Sequence, residues 1–261
     1  MNKRIREAFA HGKAFIPFIT AGDPDEDLTE KLVPAMAEAG ADLIELGIPF
    51  SDPVAEGPEI QRADQRALQA GMTTDRLFEL VRRIRKKTDV PLVFLSYANP
   101  IFTYGPERFF AACQDTGVDG VILPDVPFEE KEEMQPHSSA CGVDFISLIA
   151  PTSHERIRTI AREAEGFVYC VSSLGVTGVR EHITTDVGEM VSLVKKEKDI
   201  PCAVGFGIST PEQAREMARV SDGAIVGSAI VRLMARYGDG CIDPVCDYVR
   251  QMKAAVRSAE R

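Results

Sequence analysis

Apolar residues in this chain gather in eight short runs, separated by stretches in which they recur every three or four positions. The runs are Phe15–Thr20, Asp42–Gly47, Pro91–Tyr97, Gly120–Leu123, Phe145–Ala150, Phe167–Ser172, Pro201–Gly205 and Gly223–Val226. Short and apolar on both faces, they predict buried parallel strands. Between them Leu77, Leu80, Val81 and Ile84 fall at i, i+3, i+4 and i+7, and Ile157, Ile160, Ala161 and Ala164 repeat that spacing, which marks the buried stripe of a helix. Thr210-Pro211-Glu212-Gln213 supplies an N-cap, a proline for the first helical position and a capping-box glutamine, while Gly166 ends the helix before it. Strands separated by single helices predict a parallel sheet covered by helices. Eight such units in about 250 residues predict an α/β fold closed as a (β/α)8 TIM barrel. An open dinucleotide-binding sheet is disfavoured, because Gly175-Val176-Thr177-Gly178 lacks the G-x-G-x-x-G spacing and Gly205-Phe206-Gly207 continues as Ile208-Ser209-Thr210. Helices at Met1–Ala10 and Pro244–Ala259 are expected as additions outside the barrel.

Composition narrows this further. No Ser/Gly-rich or charge-rich linker divides the 261 residues, so one domain, 1–261, is expected. An apolar content of 44% is enough to bury a sizeable core. The basic start Met1-Asn2-Lys3-Arg4-Ile5-Arg6-Glu7 has no apolar stretch behind it, and no run of about 18 apolar residues is present to span a bilayer. Cysteines 113, 141, 170, 202, 241 and 246 are scattered without metal-ligand spacing, as expected for reduced core thiols of a cytoplasmic protein, and no metal site is expected. A net charge of −10 repels nucleic acid and anionic membranes, so an anionic substrate has to be held by local groups.

The candidate chemistry begins at Glu45, a carboxylate inside the apolar run Asp42-Leu43-Ile44-Glu45-Leu46-Gly47. An unpaired buried carboxylate costs several kcal/mol or takes up a proton. None of the 30 Lys and Arg residues lies inside an expected strand, so a chemical role is favoured over a buried ion pair. The segment Ile48-Pro49-Phe50-Ser51-Asp52-Pro53-Val54-Ala55-Glu56-Gly57-Pro58 is too rich in proline for helix or sheet and reads as a long ordered loop leaving the C-terminal end of a strand. Glu45 and Glu56 would flank one site.

Three Gly/Ser clusters follow consecutive late strands: Ser172-Ser173-Leu174-Gly175-Val176-Thr177-Gly178, Gly205-Phe206-Gly207-Ile208-Ser209 and Gly227-Ser228-Ala229. Each alone could be a tight turn, but three on one rim point to backbone amides cradling a phosphate. No lysine lies in a strand, which leaves a Schiff-base aldolase mechanism without its nucleophile and points to acid–base chemistry. His11, His137 and His154 are expected at the surface; His182 follows the glycine loop, where a phosphate contact is the alternative. Asp125, in Leu123-Pro124-Asp125-Val126-Pro127, is open to a turn role or to direct contact. Phe18, Tyr97 and Tyr169 end three strands and either fill the core or wall a flat aromatic substrate.

With these residues the chain resembles the tryptophan synthase α subunit family. The resemblance runs from about Phe15 to Leu233 and rests chiefly on Leu43 to Pro58, quoted above, supported by Pro17-Phe18-Ile19-Thr20-Ala21-Gly22-Asp23-Pro24, Gly175-Val176-Thr177-Gly178, Gly205-Phe206-Gly207-Ile208-Ser209 and Gly227-Ser228-Ala229-Ile230-Val231. It implies a retro-aldol lyase that splits indole-3-glycerol phosphate into indole and glyceraldehyde 3-phosphate, with Glu45 as the principal acid–base. Glu56 stands where the family more often has aspartate, the group that holds the indole N–H. The resemblance further implies phosphate binding at Gly178, Gly207, Gly227 and Ser228, closure of Thr177 towards the second carboxylate, and an indole pocket lined by Phe18, Leu95, Tyr97 and Tyr169 with Asp125 beside it. It implies a β subunit, in an α2β2 complex, that carries pyridoxal phosphate and faces Asp52, Pro53 and Asn99, while this chain carries no cofactor. A stand-alone indole-releasing lyase, another phosphosugar barrel enzyme with a different acid–base pair, and a weak subunit that mainly activates the β chain are the alternatives.

Overall fold

In the structure, a computed structural model that describes residues 2–172, 183–205 and 207–260, the eight expected runs are eight parallel strands. They are β1 (Ala14–Thr20), β2 (Ile44–Gly47), β3 (Leu92–Leu95), β4 (Gly120–Ile122), β5 (Asp144–Ile149), β6 (Val168–Val171), β7 (Cys202–Gly205) and β8 (Gly223–Val226). Each pairs with the next in sequence, and β8 pairs back onto β1 through Ala14↔Gly223, closing the barrel.

The helices are α1 (Lys3–Ala10), α2 (Glu26–Glu38), α3 (Pro58–Gln69), α4 (Thr74–Arg85), α5 (Ala98–Tyr104), α6 (Pro106–Thr116), α7 (Gln135–Ala140), α8 (His154–Glu163), α9 (Ile183–Glu197), α10 (Pro211–Val220), α11 (Ser228–Tyr237) and α12 (Ile242–Arg257). The expectation of single helices between strands fails in two places, since α3 and α4 both follow β2 and α5 and α6 both follow β3. Glycines make the breaks: Gly71 (φ +85°) separates the first pair, and Gly105 (φ +91°), followed by Pro106 at the first helical position, separates the second. Thr210 and Gln213 form the expected reciprocal capping box at the start of α10.

Side chains alternate between the two faces of each strand. The inward set is Ala14, Ile16, Leu43, Val93, Ile122, Ile146, Phe167, Tyr169, Ala203 and Ile225, with Ile5 of α1 packed against it at the base. The outward set, including Phe15, Ile44, Leu46, Phe94 and Val204, joins the larger core under the helices. The terminal helices act as struts for the barrel floor. Asn2 N–H donates to Asp144 and Arg4 pairs with Asp119, while Lys253 of α12 pairs with Asp42, whose other bond is accepted from Phe15 N–H. β2 begins at Ile44, two positions after Asp42, whose carboxylate ties the approach to the strand to the C-terminal helix.

Candidate active site

Glu45 lies one layer above Leu43 on β2, in register with Phe18 of β1 and Val93 of β3. Because Leu43 and Val93 point into the barrel, strand alternation sends Glu45 inward with them. Its side chain is 1% exposed, and Oε1 has no hydrogen-bond partner among the described residues. Burial alone pushes its carboxyl up to about 8, so the group is protonated at neutral pH. Tyr169 shares this interior, its hydroxyl pushed well up by burial and secondarily by the negative charge Glu45 would carry.

Two strand-ending glycines make room for the aromatic walls. A Cβ on Gly47 would sit 2.6 Å from the Phe18 ring, and one on Gly205 would sit 2.2 Å from the Tyr169 hydroxyl oxygen. Only a residue without a side chain lets these rings lie across the strands there. Phe18 and Leu95 then pack with Ile60, Ala63 and Val231, forming an apolar wall beside Glu45.

The proline-rich loop folds back on the rim. Tyr97, the N-cap residue of α5, accepts a hydrogen bond from Ala55 N–H at 3.1 Å, and its ring lies 5.3 Å from that of Phe50. This brings Glu56, the residue before the N-cap of α3, against the Tyr97 hydroxyl and the carboxyl of Asp64. Burial raises the Glu56 carboxyl, and hydrogen bonds from Asp64 and Tyr97 oppose the rise. Asp64 is 2% exposed, accepts from Thr20 Oγ1 at 3.3 Å and is pushed up to about 9, first by burial and then by the charge of Glu56. Two residues along α3, Arg66 grips buried Asp23 with two hydrogen bonds of 2.7 and 2.8 Å.

The remaining expected residues divide. Both Asp125 oxygens accept from Ala98 N–H, at 3.1 and 3.0 Å, so Asp125 fastens the start of α5. Gly207 has φ +75° with open space where a Cβ would be, and Gly227 and Ser228 form the N-terminus of α11, which no side chain caps. Thr177, Gly178 and His182 lie outside the described residues. Asp52 and Asn99 are exposed and Pro53 is half-buried on the outer rim, beside Val54, 79% exposed, and Phe102, 45% exposed.

A sequence profile of the tryptophan synthase alpha chain matches residues 6–257. The chain belongs to this family. It is 51% identical to the tryptophan synthase alpha chain of Lactiplantibacillus plantarum over 95% of its own length and 94% of that protein's. Its fold superposes on the crystal structure of tryptophan synthase subunit alpha from Legionella pneumophila with a TM-score of 0.89, at 35% identity, covering 99% of each chain. It also matches a structure of the tryptophan synthase α2β2 complex from Pyrococcus furiosus with a TM-score of 0.85, at 35% identity, covering 93% of this chain and 99% of that one.

Asp64 is the site residue that sequence reading passed over, although a signal existed. Ile60, Ala63, Asp64 and Ala67 fall at i, i+3, i+4 and i+7 of α3, which puts a carboxyl on that helix's apolar stripe. Thr20 and the Asp23–Arg66 pair, which join β1 to the same helix, carried no comparable signal, because their partners are 43 or 44 positions away.

Proposed function

We propose that this α-chain family member releases indole from indole-3-glycerol phosphate by retro-aldol cleavage, with Glu45 and Glu56 as its two catalytic carboxyls. The observation that carries the reading is the Glu45 carboxyl, buried in the barrel with no partner for Oε1 among the described residues and pushed up to about 8 by burial, which favours its protonated form at neutral pH. It is poised to give its proton to the indole ring carbon that bears the side chain. The resulting carboxylate takes the proton of the adjacent side-chain hydroxyl, the carbon–carbon bond breaks, and indole and an aldehyde leave with Glu45 protonated again. Glu56 faces the ring N–H and accepts from it, which favours the protonated ring over the aromatic ground state.

Phe18, Leu95 and Tyr169 supply flat apolar surface for the indole, and Tyr97 steadies the Glu56 loop. Gly207, Gly227 and Ser228 hold the phosphate with backbone amides, aided by the N-terminus of α11. The exposed rim of Asp52, Pro53, Val54, Asn99 and Phe102 docks a β subunit in an α2β2 complex, where pyridoxal phosphate serves the partner's chemistry. Exposed apolar side chains on an otherwise polar rim support this assignment. Cytoplasmic residence fits the chain, whose described residues contain no helix long and apolar enough to cross a membrane. The test is indole release from indole-3-glycerol phosphate, with and without a β subunit. No release by a folded chain in either case overturns the reading.

A further inference from the structure

Glu56 and Asp64 are two carboxyls in direct contact inside the rim, and each has an oxygen that no N–H or O–H of the described residues reaches: Oε2 of Glu56 and Oδ2 of Asp64. Two buried carboxylates cannot both be ionised in contact, and two orphaned acceptors cannot satisfy one another without a proton between them. The groups around the pair do not relieve it. Thr20 donates to Oδ1 of Asp64; Tyr97 meets Glu56; Asp23, already gripped by Arg66, adds only negative charge; and among the described residues no lysine or arginine pairs with either carboxyl. Glu45, the third carboxyl of the site, sits inside the barrel with Tyr169 rather than in this contact.

Resting on the lyase reading above, we propose that Asp64 is a positioning residue for Glu56: it keeps the one proton the two carboxyls share and donates it to Glu56, which stays ionised and faces the indole N–H. Asp64 is the holder because it is the more enclosed of the two, and Thr20 already satisfies Oδ1, leaving Oδ2 as the place for the proton. An O–H···O⁻ bond of this type is among the stronger hydrogen bonds in proteins. It fixes a glutamate, which has one more rotatable bond than aspartate, together with Tyr97. It also protects the charge of Glu56, since losing the donor would leave burial less opposed in raising its carboxyl.

The experiment compares Asp64→Asn, which keeps an N–H donor at the same place, with Asp64→Ala, or Asp64→Leu should the alanine variant not fold, in the complex with a β subunit. The apolar variants are expected to lower kcat by about tenfold to a hundredfold, the worth of one charged hydrogen bond. They are also expected to move the acid limb of the pH–rate profile about one unit towards neutrality, and Asp64→Asn to restore both. An acid limb and kcat unchanged in the apolar variants overturn the proposal. Infrared spectra at neutral pH give a readout that needs no turnover: the wild type should show protonated-carboxyl absorption of which one part vanishes in Asp64→Asn and a separate part in Glu45→Gln. No loss on Asp64→Asn overturns the shared proton. If the wild type releases no indole at all, the lyase reading falls while the infrared comparison still decides where the proton lies.

Discussion

Replacing Glu45 by glutamine should make the protein more stable and nearly inactive at once. Glutamine keeps the size and shape of the side chain but cannot titrate. In the wild type the folded-state carboxyl is raised from its ordinary value of 4.5 to about 8 by burial. A group raised in this way takes up a proton on folding: its contribution is fully present below pH 4.5 and is lost as the pH climbs through about 8. At about 1.4 kcal/mol per pH unit across that window, the wild type should lose about 5 kcal/mol that the variant keeps. Because the side chain is 1% exposed, solvent screening does not dilute the effect. Urea unfolding of both proteins at pH 5, 7 and 9 measures it: the two curves should nearly coincide at pH 5, separate by pH 7 and lie farthest apart at pH 9. Over the same range, indole release by the variant should fall by about 10² to 10⁴, the usual worth of a general acid–base group. Parallel stabilities at all three pH values would mean that Glu45 is ionised and paired in the folded protein. Normal turnover by the folded variant would remove it from the chemistry.

Other perturbations test the rest of the site. Glu56→Asp should retain measurable turnover, because an anionic acceptor remains on the loop, whereas Glu56→Ala should lose about 10² or more in steady-state indole release. Ser228→Asp and Gly207→Asp each set a negative charge against the substrate phosphate and should raise KM steeply with less effect on kcat; unchanged affinity for glycerol phosphate, followed by calorimetry, would place the phosphate elsewhere. Gly205→Ala drives a methyl group to 2.2 Å from the Tyr169 hydroxyl and should cost about 1–3 kcal/mol in thermal unfolding as the ring is displaced.

The order of strands and helices was legible in the chain because it depends on local periodicity: a buried strand must be apolar on both faces, and a helix must bury one stripe, wherever the sequence places them. Glu45 stood out for the same reason, as a carboxylate in a run that has to be buried. The loop after β2 was readable from its prolines. The doubled helices after β2 and β3 were missed, since a glycine within a helical stretch breaks it only where packing needs the turn. The end of β3 was placed two residues late, because Tyr97 looks like a strand residue until Asp125, from the neighbouring strand's loop, fastens the start of α5.

What the sequence by itself determined is therefore the barrel, its rim of glycine-rich turns and a buried acid on its second strand. Tertiary structure alone decided the protonation of that acid, since only closure of the barrel removes water from around Glu45 and leaves its Oε1 without a partner among the described residues. It alone decided the company of Glu56 as well. Asp64 lies eight positions after Glu56 and Tyr97 lies 41 after it, and it is the docking of α3 against β1 and of the loop against Tyr97 that brings the three together. Periodicity fixes which residues are buried, whereas a pKa depends on which charges and dipoles share the burial, and those come from parts of the chain that meet only in the fold.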